Sequence, residues 1–160
     1  MRILIVTVSL PYPPASGGAI RVEGILRGLH RAGHQLTLLC YSEVEAAQTP
    51  LAELCEQIIT VPPPTRSRTD RLRTLLLSDR ADIAERFYSD AFRETLLELL
   101  AQERFDLVQF GAIESACFMP FVRHNHPDTK IIFDTFNAEA ELQRVIASID
   151  RTELKRWPAA

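Results

Sequence analysis

Apolar positions along this chain follow two rhythms. Short unbroken runs alternate with stretches in which apolar residues return every third or fourth place. Ile3–Val8 is such a run, β-branched and continuous, as expected of a strand covered by helices on both faces. A loop containing Pro11, Pro13, Pro14, Gly17 and Gly18 follows. Val22, Ile25, Leu26 and Leu29 then fall at i, i+3, i+4 and i+7, which predicts an amphipathic helix over Ala19–Ala32. Arg27, His30 and Arg31 suit the negative end of its dipole, and Gly33 stands where a helix stops.

The same alternation runs on. Gln35–Tyr41 reads as a second strand, Pro50–Gln57 as helical and Ile58–Val61 as a third strand, before Pro62-Pro63-Pro64 ends regular structure. Arg66 to Phe87 reads as one or two surface helices. Ser89 is placed to cap a helix with Phe92, Leu96, Leu99 and Leu100 on one face. Asp106–Phe110 is the fourth strand, ending at Gly111; a segment from Ile113 to Arg123, interrupted by Pro120, leads to a fifth, Lys130–Phe133. Asn137 is then a candidate cap for a helix carrying Leu142, Val145, Ile146 and Ile149. Strands alternating with helices predict one α/β domain built on a doubly wound parallel sheet.

Composition narrows the function. A net charge of −3 gives no electrostatic case for nucleic acid. Three widely spaced cysteines, Cys40, Cys55 and Cys117, fit a reduced, cytoplasmic chain, and none stands at zinc-ligand spacing, so no metal is expected. No apolar run reaches membrane-spanning length.

Three stretches carry candidate chemistry. Gly17 and Gly18 lie between the first strand and its helix, where backbone N–H groups and the helix dipole favour phosphate, with Arg21 as counter-charge. The structural alternative is a turn that needs positive φ. The chain has no G-x-G-x-x-G fingerprint, which disfavours a dinucleotide redox enzyme. Asp134 to Glu141 follows the fifth strand: Asn137 and Glu139 can hydrogen-bond sugar hydroxyls, and Asp134 can act as a base or orienter. Here the alternative is an Asn137 cap with Glu139 and Glu141 in a first helical turn. Arg66–Leu77 is basic and amphipathic; it could lie on an anionic membrane surface, but such a charge run is more often a solvated helix face. The four histidines have no partner at catalytic spacing, and the separation of Glu45 and Glu53 reads as coincidence.

PYPPASGGAIRVEGILRGLHRAGHQLTLL within Met1–Tyr41, together with FDLVQF and KIIFDTFNAEAELQRV, resembles the N-terminal domain of family 4 glycosyltransferases of the GT-B fold. The likeness is weak between Glu43 and Arg104. It implies a Rossmann-like domain spanning residues 1–160, truncated before its last strands, with the donor-binding C-terminal domain absent. By resemblance, Gly17 and Gly18 approach the donor diphosphate, and Asn137 and Glu139 match the family's histidine-Asn-x-Glu segment. With the residue-based readings of Arg21 and Asp134, the binding group is Gly17, Gly18, Arg21 and Asn137 and the candidate catalytic residues are Asp134 and Glu139. A nucleotide sugar is the donor substrate, a sugar or glycolipid the acceptor, and no metal or other cofactor is required. The donor-binding domain is expected in cis or trans, the isolated chain is expected to be inactive, and it is placed in the cytoplasm, with peripheral contact at the inner membrane face through Arg66–Leu77 as an option. One departure stands out: Phe136 occupies the position where the family has a histidine, so any role of an imidazole is missing.

Two other readings remain, the first from the residues and the second a variant of the resemblance. One is a non-catalytic, flavodoxin-like binding or interaction module; a receiver-type switch is disfavoured because Val8-Ser9 stand where paired aspartates would end the first strand. The other is one half of a split two-chain glycosyltransferase.

Overall fold

The computed structural model describes residues 1–44, 46–65 and 86–136, together with Glu141, Arg144, Val145, Ser148 and Ile149. Its frame is five parallel strands: β1 (Arg2–Thr7), β2 (Gln35–Tyr41), β3 (Gln57–Val61), β4 (Leu107–Gly111) and β5 (Lys130–Asp134). They form one sheet in the order β3-β2-β1-β4-β5. The three longest described helices are α1 (Gly17–Arg31), α2 (Asp90–Gln102) and α3 (Met119–Asn125).

The pleat of β1 explains how the layers divide. Ile3 and Ile5 pack with Val22 and Leu26 of α1 and with Leu36 and Leu38 of β2. Leu4 and Val6 point the other way, toward Phe92 and Leu96 of α2 and Val122 of α3. Two separate cores therefore lie on the two faces of the sheet, the arrangement of a doubly wound, Rossmann-like domain. The α2 side is aromatic, with Tyr41 and Phe118 each packed on the Phe92 ring at centroid distances of 4.5 and 4.6 Å.

Helix signals read from the residues hold at several ends and shift at others. Gly33 takes φ +78 after α1, and His34 N donates to Leu29 O while Gly33 N donates to His30 O, a Schellman stop. Ser89 caps α2 as expected, its side chain accepting from Phe92 N. At the start of α1 the cap is Ser16, so Gly17 and Gly18 fall inside the first helical turn rather than before it. Neither has positive φ, which removes the turn as an explanation for them. Pro50–Gln57 is a short 3₁₀ turn, Pro50–Glu53, followed by β3. Pro120 starts α3 instead of interrupting a helix, since proline lacks only an N–H that the first turn leaves unused. The stretch 66–85, which holds the basic segment Arg66–Leu77, lies outside the described residues, as does Glu45. Among the described residues, no helix is long and apolar enough to cross a membrane.

Cys40 and Cys55 are buried in the α1-side core. Burial pushes the Cys40 thiol from 9.0 up to about 12 and the Cys55 thiol up to about 11, and it also raises Tyr41. In each case the folded state keeps a proton that the unfolded chain releases first. Their contribution to stability is therefore complete below about pH 9 and is lost as pH rises toward the folded values. Denaturant midpoints measured between pH 8 and 11 are expected to fall, with a shallower fall in Cys40→Ala/Cys55→Ala.

Candidate functional site

The strand order places a topological switch between β1 and β4. From β1 the chain turns through α1 toward β2; from β4 it turns through Ile113–Phe118 and α3 toward β5. Connections leaving in opposite directions open a crevice at the carboxyl ends of the two strands, where ligands of such sheets bind. Thr7, Ser9, Gly18 and Gly111 line it, and Phe136 closes it to a cavity of about 70 Å³. A larger hollow of about 460 Å³ lies at the opposite edge, among Met1, Asp106, Asp128 and Lys130. Topology, rather than volume, marks the candidate site, because the amino edge has no comparable switch.

At the N-terminus of α1, Ser16 is extended (φ −121, ψ 157) and its Oγ accepts from Ala19 N at 3.2 Å. The first N–H groups of a helix have no intrahelical acceptor. Gly17 sits among them with open space around it: a Cβ there would meet nothing within 4 Å. Gly18 differs. A Cβ on Gly18 would stand 3.2 Å from Phe136 Cε2, and one on Gly111 would stand 3.3 Å from Thr7 Cγ2 and 3.4 Å from Phe136 Cζ. Two glycines thus make a slot, and an aromatic ring fills it.

Arg21 and Asp134, 113 positions apart in sequence, meet at the rim. Arg21 Nε donates to Asp134 Oδ2 at 3.0 Å, and Nη2 donates to Oδ1 at 2.7 Å. This is a bidentate fork between the first turns of α1 and the end of β5. The hydrogen bond and charge of Asp134 raise the pKa of the Arg21 guanidinium above its ordinary range. The Arg21 Cζ also lies 5.9 Å from the Phe136 ring centroid, within cation–π range. Both carboxylate oxygens of Asp134 are therefore engaged, and the counter-charge of Arg21 is directed at Asp134.

Of the residues singled out by sequence, the structure brings together Gly17, Gly18, Arg21 and Asp134. Asn137 and Glu139 lie outside the described residues. The sequence reading missed the end of β4. Ala112 lines the crevice with φ 69 and ψ 156, a conformation that essentially only glycine adopts without cost. Fully buried Ser115 holds this turn, its hydroxyl 2.9 Å from both Gly111 O and Ala112 O. A serine four places after a strand-ending glycine is the one local signal for it. No group of His, Cys, Asp or Glu among the described residues is arranged to hold a metal ion.

No protein-family model matches the chain, and no curated protein matches it. Solved structures do. The C-terminal domain of a hydrogenase from Pyrococcus furiosus superposes with a TM-score of 0.54 at 18% identity, over 83% of this chain and 90% of that one. A second structure of that domain gives 0.55, again at 18% identity, over 82% and 89%. The N-terminal domain of a trehalose-6-phosphate phosphatase from Candida albicans reaches 0.49 at 16% identity, over 82% of this chain and 32% of that one. At 18% identity, the likeness to the hydrogenase domain is one of fold.

The neighbouring glycines should respond oppositely to a methyl group. Gly17→Ala is expected to stabilise the domain by about 0.4–1 kcal/mol, through a less flexible unfolded chain. Gly18→Ala should destabilise it by roughly 1–3 kcal/mol because the Phe136 ring must move. Ala112→Gly should stabilise by roughly 1 kcal/mol, the released strain outweighing the added flexibility. Urea unfolding of the three variants checks all of these.

Proposed function

We propose that this chain is the acceptor-side, N-terminal domain of a retaining glycosyltransferase of family 4 with the GT-B fold. The observation that carries the reading is the placement of Gly17: a side-chain-free first helical turn, open to solvent, at the carboxyl edge of the switch-point strand. Backbone N–H groups there, with the positive end of the α1 dipole, suit an anionic diphosphate. In the complete enzyme an acceptor hydroxyl attacks the anomeric carbon of a nucleotide sugar while the nucleoside diphosphate leaves. The Gly17-Gly18 turn would stabilise the charge that develops on the leaving phosphate. Arg21 and Asp134 fix the rim of the crevice, and Asn137 and Glu139 would bind and orient the acceptor. Sugar transfer needs a donor-binding domain, in cis or in a second chain, and this domain alone is inactive.

A second reading, a flavodoxin-like binding or interaction module without chemistry, is favoured by one observation. The crevice retains only about 70 Å³, against roughly 300 Å³ or more in typical ligand sites.

The discriminating experiment joins sugar-transfer assays on the chain linked to its donor-binding domain with calorimetry on the chain alone. Gly17→Val is the informative variant, because a Cβ there meets nothing within 4 Å and the added bulk stands where a ligand would approach. Turnover by the linked protein, falling at least tenfold in Gly17→Val, is expected from loss of one leaving-group contact. No turnover with any donor, together with no nucleotide or sugar binding, would leave the interaction module.

A further inference from the structure

The crevice is not an empty site awaiting ligand; one of the chain's own rings occupies it. The Phe136 ring lies between the glycine backbones at 18 and 111, and joins the α1-side core from the solvent edge. About 70 Å³ remains beside it, space for one or two water molecules. Phe136 stands two residues beyond Asp134, and Asp134 is the residue that Arg21 grips. The same guanidinium lies over the ring. Holding Asp134 therefore also holds the backbone that carries the ring.

We propose that Phe136 is a displaceable plug of the switch-point crevice and that the Arg21–Asp134 fork is its latch. Parting the fork frees the end of β5, and the ring then leaves the glycine slot. The slot exposed has Thr7, Gly18 and Gly111 as its walls, which widens the crevice toward the size of a ligand site. The materials of the latch suit such a device. The Arg21 side chain is 52% exposed and that of Asp134 only 12%, so solvent or a competing group reaches the pair from the arginine side. With its arginine side half-exposed, the pair can be reached and parted without unfolding the sheet. The plug also accounts for the glycine at position 18, where a Cβ would press on the ring at 3.2 Å, while at position 111 a Cβ would meet Thr7 as well as the ring edge. The inference rests on the crevice being the ligand site of the proposed transferase domain, but the opening itself can be measured with no ligand present.

Thr7 is buried, lines the same cavity as the ring and supplies the reporter. In a Cys117→Ser background, Thr7→Cys places a thiol at the floor of the slot, while Cys40 and Cys55 stay buried. The rate of maleimide labelling then reports opening. Asp134→Ala should raise that rate by about fivefold or more, the upper end of what exposed ion pairs give being the lower bound for this partly buried fork. Phe136→Ala should raise it roughly tenfold or more, and adding Asp134→Ala to it should have no further effect, since the latch acts through the ring. Phe136→Leu replaces it if the alanine variant does not fold. Arg2→Gln, which removes the Arg2–Glu103 pair at the far edge of the sheet, should leave the rate unchanged. The gate is overturned if Phe136→Ala labels at the parent rate, or if Asp134→Ala has no effect while Phe136→Ala accelerates labelling. Either result leaves the transferase reading standing. That reading is weakened separately if the opened Phe136→Ala protein binds neither uridine diphosphate nor a simple glycoside by calorimetry.

Discussion

Everything in this domain depends on β1 having a parallel partner on each side. Its residues register with Gln35–Cys40 of β2 on one flank and with Leu107–Phe110 of β4 on the other. A strand hydrogen-bonded at both edges, with helices over both faces, has no solvent side; Ile3 to Val6 are accordingly at most 2% exposed. Parallel pairing also forbids short hairpins and sends the chain across the sheet faces between strands. Because the crossings from β1 and β4 go opposite ways, the crevice at their ends follows from the central pairing alone.

Within that crevice the two adjacent glycines have separate duties. Gly17 leaves the start of α1 accessible, whereas Gly18 leaves room for an internal ring. A single dipeptide thus serves a surface on one residue and a core on the next. The pairing of Arg21 with Asp134 works similarly, neutralising two charges while fixing the end of β5 against α1. The rim is held by polar contacts and the floor by apolar ones, so the two can be perturbed independently.

The sheet was legible because its signal is local. Runs of consecutive apolar residues such as Ile3–Val6 and Leu38–Tyr41, too short for a helix, suit a strand covered on both sides. The start of α1 was less so: Ser16 and the glycines compete for the boundary, and only the capping hydrogen bond to Ala19 decides it. Of the site, the Gly17–Arg21 turn and Asp134 could be named from residue type. Their meeting could not, because it depends on how β5 registers against β4, with Gly111 opposite Asp134. Phe136 looked like a missing imidazole in the sequence, and its ring contacts are purely tertiary. Ala112 carries no residue-type mark of positive φ at all; the buried Ser115 imposes it from four positions C-terminal to Gly111.

Four of the six glycines in the chain, Gly17, Gly18, Gly24 and Gly28, lie in α1. Each glycine makes a helix about 1 kcal/mol less favourable than alanine would, so this helix scarcely exists without the sheet beneath it. Val22 and Leu26 fasten its middle, while its first turn extends beyond them to the crevice. The site is thereby carried on a helix that depends on the sheet for its shape. Amide hydrogens in that turn should exchange through local openings well before those of β1, so that any molecule seated in the crevice would be recorded first as slower exchange along a single helix.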